Sequence, residues 1–272
     1  MRVLRLVLAI SLVLALAAPA FSASVGRPIG MVPAGKWTLT ASGDYLFEQK
    51  FKDYDLNRKS SVGASDTESK SAKFKQDQTY MASLAWGATE WLNLFVQAGY
   101  VRGGKWIDTD NATGQEWEAD LKGQFAWGGG LKVKVWEPWD GGDLILAGRY
   151  FRYDDRSVDD WHNNTQGFPA SQYWNTDDEL DYWQVDLNAL LYIRHHKFFA
   201  FFGAGWSYAE ADFTGTWSAS NAWVEYDSKM KLKDQINVPH GIGYQFTPNF
   251  SMMLVGEVLS RTAIGLNISW TF

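Results

Sequence analysis

Apolar and polar residues alternate with a period of two in ten separate stretches of this chain. That pattern limits the fold more than any other feature. Alternation puts successive side chains on opposite faces of an extended strand, whereas a helix would mix them. Residues 116–135 are the most demanding case. Glu116, Glu118, Asp120, Lys122, Lys132 and Lys134 all occupy even positions, and Trp117, Leu121, Phe125, Trp127, Leu131, Val133 and Val135 occupy odd ones. At the chain end, Ile264, Leu266, Ile268, Trp270 and Phe272 alternate with Gly265, Asn267, Ser269 and Thr271. The other stretches are residues 37–47, 80–88, 92–101, 144–153, 182–193, 198–208, 236–246 and 250–258. The pattern predicts an all-β chain of about ten antiparallel strands.

The connections sort into two classes that alternate along the chain. Residues 89–90, 137–142, 194–197 and 247–249 are short, whereas 48–78, 102–115, 154–179 and 209–229 are long, polar and rich in Asp, Ser, Asn and Gly. Residues 259–262 make a short tip on the long-loop side. Short turns at one end and long loops at the other are the arrangement of a transmembrane β-barrel, with periplasmic turns and external loops. Trp86, Trp91, Trp136, Trp139, Tyr192, Phe198, Tyr244, Phe246, Phe250 and Phe272 crowd the short-turn ends, as an interfacial girdle would. In lipid every backbone group must be paired, so the sheet has to close. A ten-stranded barrel is little wider than the eight-stranded ones that side chains fill, so a polar, plugged lumen is expected. At ~3.4 Å per residue the strand at 116–135 would run ~65 Å, well beyond a ~25 Å apolar band. Either the sheet projects outside the membrane or Gly128-Gly129-Gly130 bends it.

Both chain ends agree with this reading. Arg2 and Arg5 precede an apolar run from Leu6 to Ala18, and Ala18-Pro19-Ala20 and Ala20-Phe21-Ser22 offer small residues for cleavage. Residues 1–22 therefore read as a secretory signal peptide and 23–272 as the barrel. The terminal strand, ending on Phe272, is similar to the closing strand of bacterial outer-membrane β-barrels. The resemblance implies an assembly signal at Ile268, Trp270 and Phe272, read by the barrel-assembly machinery of a Gram-negative-type cell envelope.

Composition narrows the function. The chain has no cysteine, so disulfides and thiolate metal sites are excluded. Fifteen Trp, twelve Tyr and sixteen Phe on a mildly polar average suit a wall with one face in lipid and one in the lumen. Loss of Arg2 and Arg5 takes the net charge from −6 to −8, which argues against nucleic acid as a partner. The even-position charges together with Arg149 and Asp186 are expected to form a polar ladder facing the lumen.

Arg102-Gly103-Gly104-Lys105-Trp106-Ile107-Asp108-Thr109-Asp110 resembles the Arg-Gly-Gly-x-x-aliphatic-Asp-x-Asp stretch of omptins, ten-stranded outer-membrane proteases. Ser228-Lys229, Lys233-Asp234-Gln235, Gly243-Tyr244 and Thr247-Pro248-Asn249 are similar as well. The resemblance implies that Asp108 and Asp110 form one catalytic couple at the outer rim. Omptins also need an Asp-x-His couple on the fourth long loop, and residues 209–229 contain no histidine. The chain's histidines are His162, His195, His196 and His240. Without a positioned base the hydrolytic mechanism fails, and Asp108 and Asp110 then read as a solvated turn beside Asn111 and Gly114. The acidic third loop, with Asp154, Asp155, Asp159, Asp160, Asp177, Asp178 and Glu179, has no recognisable metal-loop spacing and reads as a solvated surface. The sequence thus predicts a monomeric, non-enzymatic barrel of the cell outer membrane, without cofactor or metal. Its partners would be membrane lipid or lipopolysaccharide and whatever its external loops meet. A narrow channel and an omptin-like hydrolase are the alternatives.

Overall fold

The computed structural model describes residues 30–61, 66–163, 168–169, 175–219 and 222–272. Residues 1–22, read above as a signal peptide, lie outside them. In chain order the strands are β1 (Trp37–Lys50), β2 (Tyr54–Ser60), β3 (Asp66–Gly87), β4 (Leu92–Asp110), β5 (Glu116–Leu121), β6 (Gln124–Trp139) and β7 (Gly142–Asn163). They are followed by β8 (Phe168–Pro169), β9 (Asn175–His195), β10 (Phe198–Ala219), β11 (Ala222–Lys231), β12 (Ile236–Thr247), β13 (Phe250–Leu259) and β14 (Arg261–Thr271). Every pairing is antiparallel. The ring β1-β3-β4-β6-β7-β9-β10-β12-β13-β14 closes on itself where β14 pairs β1 from Thr38↔Thr271 to Gln49↔Arg261. This is the expected ten-stranded barrel, with no free edge to desolvate.

A second, narrower barrel stands on the first. β5 continues the line of β6 between β4 and β7, and β11 continues that of β12 beside β10. β2 continues β1 beside β3, and its Asn57–Ser60 edge pairs with Val224–Asp227 of β11. The upper ring is therefore β2-β3-β4-β5-β7-β9-β10-β11, eight strands, because the β13–β14 hairpin stops at Ser260. Most of the expected long loops are thus strand. β3, β4, β7, β9 and β10 run from 19 to 22 residues and carry the sheet far past the apolar band.

A belt of backbone irregularities separates the two barrels. β1 shifts register against β14 between Leu46 and Glu48. Gln76 in β3, Gly103 and Gly104 in β4 and Asp155 in β7 have positive φ. Lys122-Gly123 separates β5 from β6, and residues 232–235 separate β11 from β12. Such bulges advance a strand by one residue and exchange its faces. In β3, Met81, Ser83 and Ala85 point inward below the belt, and Lys70, Ala72 and Phe74 do so above it. In β4 the inward set changes from Phe95, Gln97 and Val101 to Trp106 and Asp108. β9 and β10 cross the level without a break and keep one parity. Gly128-Gly129-Gly130 is not the bend, because all three pair in register with both β4 and β7.

Below the belt the outer surface is apolar, and it carries a girdle at each edge. Trp37–Trp86, Phe198–Tyr244, Tyr244–Phe246 and Phe246–Phe250 ring contacts mark the short-turn edge. Trp127–Tyr150, Tyr150–Trp183, Trp183–Tyr208 and Trp206–Tyr208 contacts form a second girdle that the sequence reading missed. Between the edges β4 runs from Leu92 to Tyr100, a rise of ~27 Å that a tilted strand fits to the hydrocarbon thickness. Tyr192, assigned to the lower girdle from sequence, instead packs inside against the Ile145, Leu190 and Phe199 cluster.

Candidate ligand-binding site

The interior is filled in layers. At the periplasmic end the chain before β1 enters the barrel. The Val32 N–H donates to Asn93 Oδ1 (2.7 Å), the Asn93 amide donates back to the Val32 carbonyl (3.0 Å), and Lys132 Nζ reaches the Gly30 carbonyl (3.2 Å). Above this sits the apolar layer of Ile145, Leu190, Phe199, Phe201, Met253 and Val255. Next comes a polar layer. Arg149 Nε donates to Asp186 Oδ2 (2.9 Å), and Gln184 and Ser207 each donate to Asp186 Oδ1 at 2.6 Å. Arg261 donates to Gln184 (3.1 Å) and to Glu257 (3.0 Å). Buried charges paired and hydrogen-bonded in this way are tolerated where isolated ones are not. Side chains thus fill the lumen of the membrane barrel at these levels.

At the belt, Arg156 is fully buried and pairs with Asp77 at 2.9 Å and 3.2 Å. Its Nε donates to the Lys122 carbonyl (2.8 Å) and another nitrogen donates to the Gly103 carbonyl. Both carbonyls belong to the irregular segments. The guanidinium takes up the backbone acceptors that the bulges release.

The upper barrel is packed with aromatic rings. Phe74 and Trp106 meet edge to face at 4.8 Å, Trp106 stacks on Phe213 at 5.8 Å, and Trp161 and Trp217 meet at 5.8 Å. Above this core the rings leave a cavity of about 260 Å³ that opens outward. Tyr54, Trp117, Trp161, Phe213, Trp217 and Tyr226 form its walls, with Lys70, Asp108 and Asp110 among its polar groups. Two carboxylates hold the wall in place. Asp178 accepts from the Tyr226 hydroxyl and from Trp161 Nε1, and Trp217 Nε1 donates to the Tyr226 oxygen at 3.1 Å. Asp108 accepts from the Tyr54 hydroxyl (2.6 Å) and from Lys70 (2.8 Å). Burial pushes both carboxyls above the ordinary range, against the opposing pull of these donors.

The expected catalytic pair is separated by role. Asp108 is buried, which corrects the reading of it as a solvated turn residue, and both its oxygens are engaged. Asp110 is the turn residue, accepting from the Ala112 and Thr113 N–H groups (2.7 and 3.0 Å), which hold its carboxyl below the usual range. His162 sits with Asp120 (3.2 Å) and Asp160 (3.7 Å) on the other face of β5 and β7. No histidine lines the cavity. Asp108→Ala is expected to lower stability by about 1–3 kcal/mol, because Lys70 keeps only Glu68 at 3.6 Å. Asp110→Ala should change it little. Urea unfolding of the refolded protein would check both. Equal, small changes would deny Asp108 its part in holding the mouth.

The lumen ladder divides at the belt. Arg149, Asp186 and Lys132 lie inside, and Lys134 pairs with Glu137 (3.1 Å) and Asp143 (3.7 Å) near the periplasmic edge. Glu116, Glu118, Asp120 and Lys122 do not face the lumen, because β5 has the opposite parity to β6 and sends Ala119 and Leu121 inward. They make cross-strand contacts on the outer face, Glu116 with Lys73, Glu118 with Lys105, Asp120 with His162 and Lys122 with Asp159. Ile268, Trp270 and Phe272 point outward, and the Phe272 and Trp37 backbones exchange hydrogen bonds (3.0 and 2.9 Å) across the closing seam. Among the described residues no cluster of three or more His, Asp or Glu could hold a metal ion.

The closed ring, the lipid-facing band and its two girdles define a transmembrane β-barrel of the cell outer membrane. No family model and no curated protein sequence matches the chain. Solved structures do. The outer-membrane protein OprG of Pseudomonas aeruginosa matches with a TM-score of 0.51 at 10% identity, over 89% of this chain and 98% of that one. AlkL, an outer-membrane protein, aligns at 0.39 and 10% identity over 92% and 96% of the two chains. An outer-membrane channel of Pseudomonas putida F1 aligns at 0.38 and 11% identity over 92% and 100%.

Proposed function

We propose that this barrel is a surface-binding protein, not an open pore and not a hydrolase, and that its upper mouth takes a small, uncharged, predominantly aromatic or alicyclic molecule. The observation that carries the reading is the outward-opening cavity of about 260 Å³ walled by tryptophan, tyrosine and phenylalanine. Concave, mostly apolar sites with a few fixed polar groups are where small ligands bind. The filled layers beneath support binding over conduction. Asp108 and Asp178 serve as anchors for Lys70, Tyr54, Trp161 and Tyr226, and the remaining carboxylates, Glu68 and Asp110, have no histidine beside them at the cavity to form a general-base couple. In the same reading the protein works as a monomer, and the outward stripe of Ile268, Trp270 and Phe272 is what the barrel-assembly machinery recognises.

Nitrobenzene is a suitable probe, being uncharged, cavity-sized and a contact quencher of indole fluorescence. Titrated into the protein refolded in neutral detergent, it should quench saturably. Trp117→Ala, at the half-buried wall, should weaken binding roughly three- to tenfold, in line with about 0.5–1.5 kcal/mol for an aromatic contact. Linear, unsaturable quenching in the parent protein would end the binding reading. A steady single-channel conductance in planar bilayers would move the function to the channel class.

A further inference from the structure

The narrowing from ten strands to eight leaves a seam directly above the tip of the β13–β14 hairpin. It is closed by an isolated bridge, Phe51↔Leu232, with the Lys52 N–H donating to the Lys231 carbonyl (2.8 Å) and the Lys233 N–H donating to the Lys50 carbonyl (3.0 Å). Phe51 and Leu232 are buried and point inward. The flanking residues on the two segments must then point outward, and all four are lysines: Lys50 beside Lys233, and Lys52 beside Lys231. All four are exposed.

Like charges opposite one another across a strand pair oppose folding. Here two such pairs are stacked on one another. Elsewhere on the upper barrel, outward lysines face carboxylates, as Lys105 does Glu118 and Lys229 does Glu210. At the seam only Lys50 has an ion pair, with Glu48 at 3.2 Å, and Glu48 is shared with Lys75 at 3.6 Å. Lys52, Lys231 and Lys233 make no ion pair among the described residues. Glu210, which pairs with Lys231 in register, is taken by Lys229 at 2.8 Å. The acidic side chains nearest in sequence, Asp53 and Asp234, are exposed and in no ion pair among the described residues.

The height of the cluster indicates what it meets. Leu259 at the hairpin tip and Ile236 at the start of β12 are outward, strongly exposed apolar residues, so the lipid-facing band reaches that level on this side. Lys50 follows Gln49, which pairs with Arg261 at the very end of the hairpin. The lysines therefore stand just above the hydrocarbon edge, and flexible stems let their ammonium groups settle at headgroup depth. Clustered lysines at that depth are a site for phosphorylated lipid heads.

We propose that Lys52, Lys231 and Lys233, with Lys50 beside them, bind the phosphates of a bisphosphorylated lipid of the outer leaflet, of the lipid A type. The site lies on the outer wall, away from the aromatic mouth, and it stands or falls independently of the ligand reading given above. Native mass spectrometry of the full barrel, refolded in neutral detergent and titrated with bisphosphorylated lipid A, tests it. The parent protein should retain one lipid at low micromolar concentration. The K52Q/K231Q/K233Q variant should need at least tenfold more, while Lys197→Gln in a periplasmic turn behaves as the parent. Retained heat-modifiable gel mobility would show that the triple variant is folded, and removal of three like charges should help it fold. Equal retention by the triple variant, or equal retention of lipid A stripped of both phosphates, would overturn the proposal. So would occupancy by inorganic pyrophosphate at the same concentrations, since the lipid would then contribute nothing.

Discussion

Replacing Arg156 with methionine is expected to lower the stability of the refolded barrel by about 3–5 kcal/mol. The side chain is completely buried where four strands change parity. Its loss strands the Asp77 carboxylate, which Arg156 meets at 2.9 Å and 3.2 Å, in a largely buried site. It also frees the carbonyls of Lys122 and Gly103, which have left the regular ladder. The guanidinium lies over the Tyr153 ring at 5.3 Å as well, and that contact goes with it. Arg156→Lys should recover only part of the loss, because an ammonium cannot fork to a carboxylate and two carbonyls together. Combining Arg156→Met with Asp77→Leu should recover more, since no unpaired charge then remains. Urea-induced unfolding followed by tryptophan fluorescence measures all three. A loss below about 1 kcal/mol for Arg156→Met would mean that the bulges hold themselves.

The same belt explains which parts of the fold were legible in the sequence. The membrane barrel was, because its outward residues, at every second position of each span, are predominantly apolar, while the inward positions mix polar residues with the layer of Ile145, Leu190, Phe199, Phe201, Met253 and Val255. The upper barrel was not. Crossing Gln76, Gly103-Gly104, Lys122-Gly123 or Asp155 exchanges the faces of a strand, and a pattern that changes phase looks like a loop. Residues 116–135 show the cost directly. Their unbroken even-odd alternation is real, yet the gap at Lys122-Gly123 turns Glu116, Glu118 and Asp120 outward and Leu121 inward. Above the belt the polarity is also reversed, with aromatic residues inside and charges outside in water. In β10 this was readable. Ala209, Ala211, Phe213, Gly215 and Trp217 continue the odd parity of 199–207 against Glu210, Asp212, Thr214 and Thr216. The acidic residues in that register invited a loop assignment. The partners of Asp108 were beyond reach, because Tyr54 and Lys70 come from 54 and 38 residues away, across two of the phase changes.

Two adjacent residues of β4 should respond to substitution in opposite directions. Val96 faces outward in the middle of the span, strongly exposed, between Leu84 of β3 and Gly129 of β6. In a bilayer that surface meets hydrocarbon, and Val96→Arg should cost about 2–4 kcal/mol near the midplane. Gln97 faces the lumen, is 3% exposed, and neither atom of its amide has a hydrogen-bond partner. An unsatisfied buried amide is a liability that an unbranched apolar side chain of similar volume removes. Gln97→Met should therefore leave stability unchanged or raise it by up to about 1 kcal/mol. Refolding into phosphatidylcholine vesicles across a urea series, read by heat-modifiable mobility, gives both values in one assay. A tolerated arginine at 96 would mean that lipid does not contact this wall. A damaging methionine at 97 would mean that the amide is satisfied by water inside the barrel, and that the layer of side chains around it is wetter than its packing indicates.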